Sequence, residues 1–245
     1  MNYSNVICIG DSFTNEWECY RREGLLEKFD EMGYEFKSYP QILGEKYNCE
    51  WETFGQPGMT LPFTIMTLID KIDYILSLEN PLVIFQFGFF QNSTLKVDDN
   101  IEFIWKDFGG TYEDDAVINA KDKNNFIDGL DISDKLAITT WYEKYEEFRN
   151  YWYIDEFTTI ARMVNRMKKI DMFGMFLSVP KFNLPKNEHL LYLFGGAAFN
   201  EHIERIDYLD GIHDHHKSTR GNEKLADEIT KAIREHEQWK KDNNL

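Results

Sequence analysis

An α/β fold with a mostly parallel sheet of four or five strands is what this chain predicts, and three apolar runs carry the prediction. "VICI" (6–9), "PLVIFQFGFF" (81–90) and "KIDMFGMFLSV" (169–179) are short and β-rich, with no apolar–polar alternation. That is the composition of strands buried on both faces of a parallel sheet. The segments between them carry the 3.6-residue recurrence of helices. Strand–helix alternation of this kind builds βαβ units, whose helices cover both faces of the sheet and give a three-layer α/β/α sandwich.

The elements follow in order. The first run stops at Gly10-Asp11-Ser12, and "NCEWETF" (48–54) adds a strand before the loop "GQPGMT" (55–60). From Leu61 to Leu78 the residues Ile65, Leu68, Ile69, Ile72 and Ile75 recur at helical spacing. Tyr145, Phe148, Trp152, Phe157, Ile160, Val164 and Met167 do the same between Trp141 and Lys169. Ser218 to Trp239 reads as a closing helix with Leu225, Ile229 and Ile233 facing inward. The stretch 93–138 breaks the alternation: "DFGG", "EDDAV" and "KDKNNFIDGLDISDK" are polar and acidic, the mark of an insertion that serves as a lid, a mobile arm or a subunit contact.

The totals bound the rest. A chain of 245 residues suffices for one α/β domain over 1–245 with a complete core. With 27 lysines and arginines against 43 aspartates and glutamates, the net charge of −16 repels phosphate backbones and anionic lipid surfaces, so no nucleic-acid partner is expected. Cys8, Cys19 and Cys49 are odd in number and lack CxxC spacing, which favours reduced thiols and an intracellular, cytoplasmic protein. The start has no basic-then-apolar leader, and no apolar run approaches the ~18 residues of a membrane span.

Two places concentrate chemistry. A serine at the tight turn after a buried strand presents its hydroxyl at the carboxyl edge of the sheet, where open α/β sheets bind ligands. Helix capping by Asp11 or Ser12 is the plainer role for the same triplet. A nucleophilic serine needs a base from elsewhere in the chain. "YLDGIHDHHKSTRGNEKLADEI" (208–229) supplies candidates, because His213, His215 and His216 fall within four positions beside Asp210 and Asp214. A polar loop capped by Ser218 is the plain alternative. A metal site is disfavoured because adjacent histidines on one loop seldom converge on one ion, and no distant ligand cluster accompanies them.

An N-terminal Gly-Asp-Ser after a strand and a C-terminal Asp/His loop before the last helix together resemble the SGNH hydrolases, the GDSL-like lipase and esterase family, over nearly the whole chain. The resemblance implies a flavodoxin-like sheet and a Ser-His-Asp acyl-enzyme mechanism without metal or organic cofactor. It makes Ser12 the nucleophile and, through its backbone N–H, an oxyanion donor. "TFGQPGMT" resembles the family's two-glycine loop, with Gly58 as oxyanion donor and Gly55 forming the turn. The third block departs from the pattern: in "QFGFFQNST" Gly88 holds the glycine place, but Asn92 comes late and no Asp follows it, which leaves Asn92, Gln91 or no side chain as the third donor. Losing one such donor costs ~100- to 1000-fold in rate.

The family's Asp-x-x-His is matched literally by Asp210 and His213. Its spacing to the last helix is matched instead by His216, followed at +2 by Ser218, at +5 by Gly221 and at +10 by Ala226. His216 with Asp214 is therefore the preferred pair, and Asp210 with His213 the alternative. The implied substrate is a carboxylic ester, an O-acetyl or short acyl group on a carbohydrate among the candidates. Phe89, Phe90 and Trp105 fall near the expected cleft, and "FGGAAF" (194–199) supplies small residues for an acyl pocket or a helix contact. A competing reading keeps the scaffold and weakens the chemistry: a structural or binding component of a homo-oligomer or larger assembly, held through the acidic insertion. A Rossmann-like nucleotide domain is a poor third reading, because the first turn lacks GxGxxG.

Overall fold

The first strand, β1 (Asn5–Gly10), runs through the middle of the sheet, with Val6, Ile7, Cys8 and Ile9 fully buried. A computed structural model describes residues 2–11, 13–22, 24–31, 33–55, 61–87, 93–98, 101–105, 146–176, 188–191, 193 and 218–242. After β1 come α1 (Glu16–Arg22), α2 (Leu25–Glu31), α3 (Tyr39–Tyr47) and β2 (Glu50–Gly55). Then follow α4 (Leu61–Ser77), β3 (Leu82–Phe87), β4 (Ser93–Asp98), β5 (Ile101–Trp105), α5 (Glu146–Lys168), β6 (Met172–Phe176) and α6 (Thr219–Asp242).

Four strands form one parallel sheet in the order β2-β1-β3-β6. The sequence-derived range of four or five strands thus resolves at four, all parallel, among the described residues. Leu190 extends the sheet by a single parallel bridge to Gly174 on β6. Because side chains alternate along each strand, Val6, Cys8, Leu82, Ile84, Phe173 and Met175 face one layer, built by α3 and α6. Ile7, Ile9, Val83, Phe85 and Phe87 face the other, built by α4 and α5. In that second layer the rings of Phe85 and Phe157 stack at 4.9 Å, and those of Phe87 and Phe176 at 4.6 Å.

The helices match their predicted spans with shifted faces. In α6, Leu225, Ile229 and Ile233 are buried as expected. In α4, Ile65, Leu68 and Ile75 are buried and Ile72 packs at the core's margin, but Ile69 is 50% exposed. In α5, Phe157 and Val164 are buried, whereas Trp152 and Met167 are 62% and 63% exposed. A 3.6-residue recurrence marks a helix, and the neighbouring layer then covers a narrower stripe than the apolar residues define. At the start of the 93–138 segment, β4 and β5 pair antiparallel in a separate two-stranded sheet. The rest of that segment lies outside the described residues.

Candidate active site at the carboxyl edge

The chain leaves β1 toward β2 through α3 on one face, and leaves β3 toward β6 through α5 on the other. The sheet's strand order reverses between β1 and β3, and at the carboxyl ends of those two strands an α/β sheet opens a crevice. β1 ends at Gly10, β2 at Gly55 and β3 at Phe87, so the chain leaves all three strands at this one edge.

Gly10 and Gly55 are register partners, and the approach is so close that a Cβ on Gly55 would overlap the Gly10 carbonyl, with the carbonyl carbon at 2.9 Å. Gly55 also sits at φ +157. Its glycine is thus demanded by strand contact at the end of β2, a more specific reason than the turn-forming role read from the sequence.

The residues around position 12 form a tight turn. Asp11 Oδ1 accepts the Phe13 N–H at 2.9 Å, and the Asp11 carbonyl accepts the N–H groups of Thr14 and Asn15, each at 3.1 Å. This is the side-chain-to-backbone pattern by which aspartate makes turns. Helix α1 begins only at Glu16, so Asp11 shapes the turn and does not cap the helix. Asn15 is tied to β2 instead: its Nδ2 donates to the Gly55 carbonyl at 3.2 Å, and its Oδ1 accepts the Thr53 hydroxyl at 2.7 Å.

Beneath the turn lies a buried polar network absent from the sequence reading. Gln86 Nε2 donates to Asp11 Oδ1 at 2.6 Å. Gln86 Oε1 accepts the Thr14 hydroxyl, which also bonds Tyr39 Oη at 3.0 Å. Burial holds the Tyr39 phenol well above its ordinary pKa, so it remains a neutral hydroxyl. The signal for this network was Gln86 itself, an amide inside a fully apolar run; a buried amide must find partners.

The last helix closes on the same edge. Ser218 Oγ accepts the Gly221 N–H at 3.1 Å and caps α6, as its place before the helix predicted. Thr219 N–H donates to Tyr34 Oη at 2.6 Å, and the Thr219 hydroxyl donates to the Glu35 carbonyl at 2.9 Å. One turn in, Asn222 Nδ2 donates to Glu16 Oε2 at 2.7 Å, with both residues fully buried. The first turns of α1 and α6 are thereby locked together, although 206 positions separate the two residues. Asn222 lies on the same helix face as Leu225, which is the sequence signal for its burial.

Ser12, Gly58, Gln91, Asn92, Asp210, His213, Asp214 and His216 lie outside the described residues, as do Phe89, Phe90 and 194–199. Asp11 and Phe13 on either side of Ser12 are described, as are Gly55, Phe87 and Ser218 at the borders of the other segments. Among the described residues no group of three or more His, Cys, Asp or Glu is placed to hold a metal ion, and no helix is long and apolar enough to cross a membrane. Cys8 is buried and Cys49 half-buried, both as free thiols.

No family model matches the chain, and neither does any curated protein. A solved structure from Desulfitobacterium hafniense DCB-2, of a protein assigned to the G-D-S-L family of lipolytic proteins, is similar to it at 15% identity. The similarity covers 94% of this chain and 99% of that one, with a TM-score of 0.33.

Proposed function

We propose that the protein is a serine hydrolase of SGNH type acting on a carboxylic ester. The observation that carries the proposal is the buried Asn222–Glu16 hydrogen bond. Glu16 follows Ser12 by four positions, and Ser218, the cap of α6, follows His216 by two. The lock between the two helix starts supports an approach of the Asp/His loop to the Gly-Asp-Ser turn.

In the proposed mechanism His216, oriented by Asp214, takes the Ser12 proton as the serine oxygen attacks the ester carbonyl. The N–H groups of Ser12 and Gly58, with Asn92 or Gln91, stabilise the oxyanion. The imidazolium returns its proton to the departing alcohol. Water, deprotonated in turn by His216, then releases the acid and restores Ser12. Asp210 with His213 is the alternative pair. The substrate class we propose is an acetyl or short acyl ester on a carbohydrate, in keeping with the aromatic residues of 89–105.

The test is hydrolysis of p-nitrophenyl acetate by the wild type and by Ser12→Ala. The proposal expects turnover that the substitution lowers by at least ~10⁴-fold, toward the residue left when a triad member is lost. Equal background from both proteins would overturn it and leave the scaffold reading, a binding or structural component, in its place.

A further inference from the structure

We infer that Gln86 is a positioning residue for the nucleophile turn: from the central strand β3 its amide holds both flanks of position 12, Asp11 before it and Thr14 after it. The catalytic consequence rests on the ester-hydrolase reading, whereas the contacts do not depend on it.

Gln86 is fully buried, and both ends of its amide are engaged. Its orientation follows from chemistry. Asp11 Oδ1 already accepts the Phe13 N–H, so the amide nitrogen faces Asp11 and the amide oxygen faces Thr14. Thr14 has a single hydroxyl proton, which goes to Gln86 Oε1; the Tyr39 hydroxyl is therefore the donor to Thr14. A one-directional chain results, from Tyr39 through Thr14 and Gln86 to Asp11, whose Oδ1 also takes the Phe13 N–H. Such a chain has no second arrangement that satisfies every member, so the turn is held in one geometry.

Gly10 provides the seat for this chain. A Cβ there would lie 2.9 Å from both Gln86 Cβ and Gln86 Oε1, so the bare glycine is what lets the glutamine cross over β1 to the turn. The choice of amide over acid also has a reason. Glutamate at this position would set a second carboxylate against Asp11, and the pair would have to hold a proton between them.

The test uses Gln86→Met and Gln86→Glu in the full chain, with kcat and KM for p-nitrophenyl acetate followed against pH and hydrogen exchange followed at the amides of 13–15. Gln86→Met keeps the side chain's length and removes both bonds. It is expected to lower kcat by about 100-fold with KM changed less than about threefold, the signature of a misplaced reacting group. Gln86→Glu can donate to Asp11 only while protonated. Its rate relative to wild type is therefore expected to stand highest at acid pH and to fall as the pH rises, which a purely structural role would not produce. A folded Gln86→Met with near wild-type kcat, or a Gln86→Glu ratio flat with pH, overturns the inference.

Should the wild type show no serine-dependent turnover, the hydrolase reading fails and exchange decides the inference alone. Protection at Phe13, Thr14 and Asn15 reduced by about tenfold in Gln86→Met, with β2 and β6 unaffected, supports it, and unchanged protection overturns it. If Gln86→Met does not fold, the same comparison is made on Gln86→Glu between acid and neutral pH.

Discussion

The two edges of the parallel sheet are built on different terms. At the carboxyl edge the polar side chains of Asp11, Thr14, Glu16, Gln86 and Asn222 are buried and joined to one another or to backbone. At the amino edge His189 is buried against the Met172 carbonyl, and the ion pairs sit at the rim. Lys240 pairs with Asp171 at 2.8 Å with both side chains 23% exposed, and Arg162 pairs with Glu188 at 2.9 Å. Arg162 holds the Glu188 carboxyl down to about 2. His236 lies edge-on to Phe173 and beside Trp239, with burial and then Lys240 pushing its pKa down to about 4. The difference teaches where geometry is being kept. A buried, hydrogen-bonded network restricts a turn to one shape, whereas rim ion pairs and a neutral histidine close the end of a core.

The contrast breaks most readily at Gly55. Gly55→Ala drives a methyl group into the Gly10 carbonyl, so β1 and β2 must part at the ends that launch the site. A loss above about 4 kcal/mol in denaturant unfolding is expected, a magnitude reserved for steric or core failures. Next comes Asn222→Ala, which removes the 2.7 Å donor to a buried carboxylate. It is expected to cost about 2 kcal/mol, and under the proposed function it also lowers kcat, because the start of α6 is freed from α1.

His236 sharpens the comparison through pH. Its folded pKa of about 4 lies below the ordinary 6.5, so between those values the unfolded chain binds a proton that the native chain refuses. Its contribution is full above pH 6.5 and is lost as the pH falls toward 4. His236→Phe is therefore expected to shrink the drop in Tm between pH 7 and pH 4.5. An unchanged drop would place the acid sensitivity on the groups around it, Lys240, Asp171, His189 and Glu188. The smallest effect belongs to Arg162→Ala, which breaks a pair whose side chains are 52% and 34% exposed and is expected to cost less than about 1 kcal/mol.

Much of the scaffold was legible because burial on two faces leaves a plain mark: "VICI", "LVIF" and "MFGMF" have no polar face to interrupt them. The short helices α1, α2 and α3, of seven, seven and nine residues, escaped notice because two turns carry too few repeats for a period. Exposure of Ile69, Trp152 and Met167 depends on which neighbour packs on which stripe, and a single helix does not encode that. At the site, the Gly-Asp-Ser turn and the Ser218 cap were readable as local signals. Gln86 stood out as an amide in an apolar run, but its partners, like those of the Asn222–Glu16 bond, lie far away in the chain. Long-range pairs such as these follow from topology, which local pattern does not report.

The proposed hydrolase requires Ser12 to be an activated nucleophile. Treatment of the folded protein with a fluorophosphonate, followed by peptide mapping, measures this directly. A single adduct on Ser12, formed far more slowly in His216→Ala, is expected. A folded protein that takes no label, or takes it on another residue, would contradict the proposal.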